Sequence, residues 1–166
     1  WFSVYEKNMN DELNKWILEN IFNYKWYRVS DEVVKGSPHL ANTKYLCGDN
    51  EASKYLAHNY YVPSNGSEIL DGTVLIHDFC GNIKDAFRLV EKMQKLWRER
   101  KNNDEGIYWQ FIDCEEYGWR VEISWAHHDG DISLASAAEK TLPLAICVAL
   151  KEFLTEATIA TYFASL

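Results

Sequence analysis

Apolar positions near the start of the chain repeat at helical spacing. Leu13, Trp16, Ile17 and Ile21 fall on one stripe and predict a helix over about 11–22. Asn10 is placed to cap it, and Asp11 and Glu12 suit the positive end of its dipole. Asn23 suits a left-handed stop. Tyr24 to Val29 then reads as a short strand of aromatic and β-branched residues. From 30 to 72 the pattern is irregular. Ser37-Pro38, the Gly48 turn and the Pro63 turn punctuate it, with a strand predicted at 44–47 and a short helix at 51–58. Tyr60, Tyr61 and Val62 read as extended, because Pro63 pushes its predecessor out of the helical region. A long aromatic-bearing stretch of this kind suits a binding loop better than a plain connector.

Val74–Ile76 predicts another short strand. A strong helix follows over about 83–98, capped by Asn82, with Ile83, Phe87, Val90, Met93 and Trp97 on one face. The basic run Lys95, Arg98, Arg100 and Lys101 suits a solvated helix C-terminus. Ile107–Cys114 and Trp119–Trp125 predict an antiparallel hairpin turning through Glu115–Gly118. In its second strand Trp119, Val121, Ile123 and Trp125 alternate with Arg120, Glu122 and Ser124, which means one core face and one wetter face. The segment His127–Asp131 reads as a loop leading to a final helix from about Ser136, with Pro143 in its first turns or kinking it. The tail 157–166 is apolar and suits docking on the domain or on a second copy.

At 166 residues, 47% apolar and 25% charged, the chain fits one globular domain over 11–166, preceded by an N-terminal extension over 1–10. Residues 1–8 lack the basic and long apolar regions of a signal peptide. The net charge of −8 argues against duplex nucleic acid as a partner, while a small anionic ligand needs only a few local cations. Cys47, Cys80, Cys114 and Cys147 are about 33 residues apart and form no close pair, so they read as free thiols rather than a zinc or redox motif. No apolar run reaches 18 residues, so no membrane partner is expected.

Common catalytic motifs are missing, and no cofactor or metal is expected. His127, His128, Asp129 and Asp131 read as a polar loop, since adjacent strand residues point to opposite sides. Cys80 and Cys147 lack a base fixed by spacing, although His77 is near in sequence to the first. Asp113, Glu115 and Glu116 suit a solvated hairpin tip. The constellation with chemistry in it is aromatic plus arginine: Trp26 and Arg28, Tyr60 and Tyr61, Arg120 and Trp125. Flat bases stack on such rings, and guanidinium groups match phosphate oxygens. Trp16, Trp97, Trp109 and Trp119 suit core filling instead.

Two stretches carry a family resemblance: Ile76-His-Asp-Phe-Cys-Gly-Asn-Ile-Lys-Asp-Ala-Phe-Arg-Leu-Val-Glu-Lys-Met93, and Ala138-Glu-Lys-Thr-Leu-Pro-Leu-Ala-Ile-Cys-Val-Ala-Leu150. With Leu13–Arg28 and the hairpin, the chain resembles the phage ABA sandwich domain family over about 100 of its 166 residues. The Leu142–Cys147 motif is complete. The helix-entry turn departs, with Phe79, Cys80, Gly81 and Asn82 where Tyr, Ser, Thr and Asp are usual, and 30–72 is a longer insertion. The resemblance implies an α+β helix–sheet–helix sandwich and brings no catalytic residues. It leads to the expectation of a non-enzymatic phage anti-defence protein in the host cytoplasm. Such a protein would sequester a small anionic nucleotide-type second messenger as a homo-oligomer. The alternative is an acidic protein–protein inhibitor of a host defence factor.

Overall fold

The computed structural model describes residues 4–48, 60–64, 73–75, 77–100, 107–127 and 130–155. The short helix expected at 51–58, the tail 157–166, His128 and Asp129 lie outside the described residues. The fold is α+β, with helices and two small sheets. Contacts divide the chain into two compact units, Trp1–His77 and Asp78–Leu166.

In the first unit, α1 runs Val4–Asn20. It starts well before the expected position 11, so Asn10 lies inside the helix rather than capping it. Extending a nucleated helix adds one hydrogen bond per residue fixed, which favours growth through this polar stretch. The buried stripe is Leu13, Asn14, Ile17 and Leu18, one position round from the one read in the sequence. Asn23 ends the helix with φ of 55°, and the Tyr24 N–H donates to the Leu18 carbonyl at 2.9 Å.

The chain then forms β1 (Lys25–Val29), α2 (Asp31–Gly36), a single 3-10 turn (Pro38–Leu40), β2 (Lys44–Cys47), β3 (Tyr61–Pro63) and β4 (Thr73–Leu75). The sheet order is β3-β1-β2-β4. β1 is antiparallel to β2 and β3, and β2 is parallel to β4. Trp26 sits opposite Leu46 on one face, and both are buried. The other face carries Tyr27 opposite Tyr45, and Val29 opposite Tyr61.

The second unit opens on a tight turn. Asp78 Oδ1 accepts the Gly81 N–H at 2.9 Å, and Asn82 Oδ1 accepts the Lys84 N–H at 2.9 Å, capping α3 (Ile83–Arg100) as expected. The buried face of α3 is Ala86, Leu89, Val90 and Trp97, whereas Ile83 and Phe87 are exposed. β5 (Ile107–Asp113) and β6 (Trp119–His127) form the expected hairpin in unbroken register from Ile107 opposite Trp125 to Asp113 opposite Trp119.

The segment read as a loop and the start of a helix is instead a third strand, β7 (Gly130–Glu139), antiparallel to β6. Its Ala-Ser-Ala composition favours helix locally, but pairing along all of β6 and burial of Ala135 and Ala137 override that preference. α4 begins only at Leu142 and runs to Thr155. Pro143 sits in its first turn, where a missing N–H costs nothing, and the Thr141 carbonyl accepts the Ala145 N–H at 3.0 Å. The buried row Ala145, Ile146, Ala149, Leu150 and Phe153 packs on β6 and β7, above Val121, Ile123, Ala135 and Ala137. No described helix is long and apolar enough to cross a membrane.

Gly118 closes the hairpin with φ of +96°, and a Cβ there would strike the Glu139 carbonyl oxygen and Lys140 backbone. Gly118→Ala should lower stability by about 2 kcal/mol or more, combining left-handed strain with that overlap. Urea unfolding of the variant beside the parent chain checks this.

Candidate functional site

Residues on the first sheet divide between its faces. Trp26 is 7% exposed, and its indole N–H donates to Glu19 Oε1 of α1 at 2.7 Å. Its ring is therefore taken up by the packing of α1 on the sheet. Arg28 lies on the same face by register but reaches outward. Its Nη1 donates to Asp31 Oδ1 at 2.7 Å and to the Val29 carbonyl at 3.3 Å. The hydrogen bond and charge of Arg28 hold the exposed Asp31 carboxyl below its ordinary range.

Tyr61 lies on the opposite face from Arg28 and stacks on Tyr45, with ring centroids 4.7 Å apart and an interplanar angle of 26°. Both rings are half-buried, beside the buried Tyr27 and Cys47. Tyr60 is exposed and joined to the end of β1, its carbonyl accepting the Ser30 N–H at 2.8 Å. The sheet thus brings Tyr61 to Tyr45, a residue the sequence reading did not single out, and not to Arg28. The signal that would have found Tyr45 is the register of β1 with both its neighbours, which places Tyr27, Tyr45 and Tyr61 on one face.

In the second unit, Arg120 and Trp125 stand at odd and even offsets along β6 and so occupy opposite faces. Arg120 is exposed, with Nη2 on Glu122 Oε1 at 2.7 Å and Nε on Ser136 Oγ at 3.2 Å. Trp125 is half-buried, opposite Ile107 and Ile132. The Arg120 face also holds Tyr108, whose hydroxyl bonds to Asp131. That bond, with burial behind it, raises the phenol above its ordinary range.

Cys47, Cys80 and Cys147 are buried free thiols, and Cys114 is half-buried. Burial, then a thiol hydrogen bond with Cys80, pushes Cys147 well above the ordinary thiol range. A thiol held protonated is a poor nucleophile and a poor metal ligand. Among the described residues, no group of three or more His, Cys, Asp and Glu side chains is gathered to hold an ion. His77 lies against the Tyr24 ring, centroids 6.3 Å apart.

The chemistry these described residues offer includes ring stacking and hydrogen bonding. The chain matches no protein-family model, no curated protein and no solved structure.

Two consequences concern the thiols. Under native conditions, a disulfide reagent should modify Cys114 first, with Cys47, Cys80 and Cys147 following only as fast as the fold opens; mass spectrometry of timed aliquots reads the order. The second is a pH dependence. The unfolded Cys147 thiol loses its proton near pH 8.5, whereas the folded one keeps it to higher pH. The stability that this raised value contributes is complete below about pH 8.5 and declines as pH rises toward the folded value. Urea unfolding at neutral and alkaline pH should show that decline, and Cys147→Ala should make it shallower.

Proposed function

We propose that this chain is a phage-encoded binding protein that sequesters a nucleotide second messenger of a bacterial immune system without cleaving it, acting in the host cytoplasm as a homo-oligomer. The observation that carries the reading is the Tyr45–Tyr61 stack: two half-buried rings, nearly parallel, set on a sheet face against Tyr27. A base extends such a stack by adding a third flat layer, worth roughly 1–3 kcal/mol per base. Tyr60, 49% exposed, offers another ring at the end of β3.

Arg28 supplies the cation. Its partner Asp31 has a side chain 81% exposed, and an ion pair that open to water exchanges readily for a phosphate. Because Arg28 and Tyr61 occupy opposite faces, a ligand that uses both must wrap the end of β1 where Tyr60 is attached. An extended or cyclic dinucleotide has that reach, and a mononucleotide does not. Family resemblance supports the phage context. Its segments 13–28, 76–93 and 138–150 span α1 with β1, the entry to α3, and the passage from β7 into α4. The same reading takes the fold as a helix–sheet–helix sandwich.

Incubation with cyclic and linear signalling nucleotides, removal of free ligand, denaturation and chromatography of the supernatant tests the proposal. The expected result is recovery of one class of dinucleotide, chemically unaltered. Tyr61→Ala and Tyr45→Ala should each weaken retention about ten-fold or more, and Arg28→Ala by a similar factor. Failure to retain any nucleotide rejects the reading, and recovery of a cleaved product replaces it with an enzyme. The net charge of −8 favours one second reading, an acidic inhibitor seated on a basic surface of a host defence factor. A single stoichiometric basic partner in a pull-down, with no nucleotide retained, selects it.

A further inference from the structure

We propose that β5 is an interface strand, pairing antiparallel with β5 of a second copy of this chain to make one continuous six-stranded sheet. Among the described residues, β5 pairs with β6 on one side and with no strand on the other. Unpaired edges of natural sheets are guarded by charge, proline or a bulge. From Ile107 to Ile112 this edge has none of these: the residues are Ile, Tyr, Trp, Gln, Phe and Ile, and the only register shift of this sheet lies between β6 and β7.

Of the six exposed large hydrophobic side chains described in the second unit, four lie on β5 and α3, while Tyr117 stands in the hairpin turn and Ile132 on β7. Ile83, Phe87, Phe111 and Ile112 are 41%, 39%, 36% and 39% exposed. Phe87 of α3 meets Phe111 of β5 edge to face, centroids 5.6 Å apart. At on the order of 150–250 Å² per large side chain, these four leave roughly 300 Å² of apolar surface per protomer. Two such edges bring together on the order of 600 Å², already more than half of the roughly 1,000 Å² a specific interface needs. Strand backbone and the half-buried Tyr108 and Trp109 come in addition.

The occupant is a second copy because the strand is complementary to itself. Pairing about Gln110 sets Trp109 against the partner's Phe111 on the face that carries α3 and α4, and Tyr108 against the partner's Ile112 on the other. Gln110 meets its own symmetry mate, side-chain amide to side-chain amide. Shifting the dyad by one residue either way sets Gln110 against Tyr108 or Ile112 instead. The two-fold axis stands normal to the sheet, so both copies of α3 lie on the same side and Phe87 of each is covered. No charged residue falls inside the pairing, since Asp113 comes at its last position.

Sedimentation velocity on the full chain, with Gln110→Lys and Gln110→Glu prepared separately and then mixed, tests both the interface and its register. Gln110 is exposed, so neither change disturbs the core. The expected result is a dimer for the parent chain. Each variant alone should dimerise about five-fold or more weakly, because like charges meet at the dyad, and the mixture should recover dimer as a Lys–Glu pair. A monomeric parent chain overturns the proposal. A dimer indifferent to both substitutions places the interface elsewhere and also overturns it. Variants that dissociate and stay monomeric when mixed, with circular dichroism unchanged, overturn the register about Gln110.

Discussion

The seating of α4 on β6 and β7 fixes which face each side chain of the β5–β6 hairpin presents. Val121 and Ile123 face the helix, and Ala135 and Ala137 lie beside them, small enough to let the helix approach. The opposing surface of α4 is built to match, with Ala145 and Ala149 between Ile146, Leu150 and Phe153. A strand has only two faces, so committing this row to the core commits Arg120 and Glu122 to the other side. The same commitment runs through the hairpin register to β5, where Trp109 and Phe111 fall on the helix face but lie at the edge of what α3 and α4 cover. The exposed apolar edge is therefore a consequence of the core, not an addition to it. A one-residue slip of β5 would bury Gln110 and expose Trp109, and the regular ladder to β6 prevents it.

Local chemistry was legible wherever a side chain acts on its own backbone neighbourhood. Asn23 in the left-handed region, Asn82 at the head of α3 and the hairpin ending at Gly118 are all decided within a few residues and agree with the sequence reading, while for Pro143 the structure selects the first turn over a kink, in a helix that starts later than expected. What failed depended on distant partners. Residues 130–139 are locally helix-prone, and only β6 makes them a strand. On α3, periodicity identified the right helix but set its buried face slightly round, because Ala86 at a close packing point is a weak hydrophobic signal and Phe87 a strong one. Residues 4–10 offered no periodic apolar pattern, yet they extend α1 all the same.

The aromatic candidates separate by the same logic. Trp26 reads in the sequence as a ligand-binding residue, whereas the structure buries it. The deciding feature was Glu19, seven residues earlier on another element, which satisfies the indole N–H and makes burial inexpensive. Tyr61 was read as available from its irregular surroundings, and its partner Tyr45, in another strand and 16 positions earlier, was not. Cross-strand aromatic pairs are the units of sheet stabilisation, and their members are set by register, which a single sequence does not display.

On the proposed reading of the first sheet as a ligand site, register also decides what kind of ligand would suit it. Had Arg28 and Tyr61 shared a face, a single nucleotide lying flat would have satisfied both. On opposite faces, separated by the thickness of a strand, ring and guanidinium serve one molecule only if it bends around the end of β1. Tyr60 stands at that end, its carbonyl held by the Ser30 N–H one step beyond the Val29–Tyr61 pair. The bend favours a ligand with two rings and a flexible phosphate linkage over any rigid or single-ring compound. The Arg28–Asp31 pair fits that proposal, since it holds the guanidinium at the turn of the strand in water, where an ion pair is worth little.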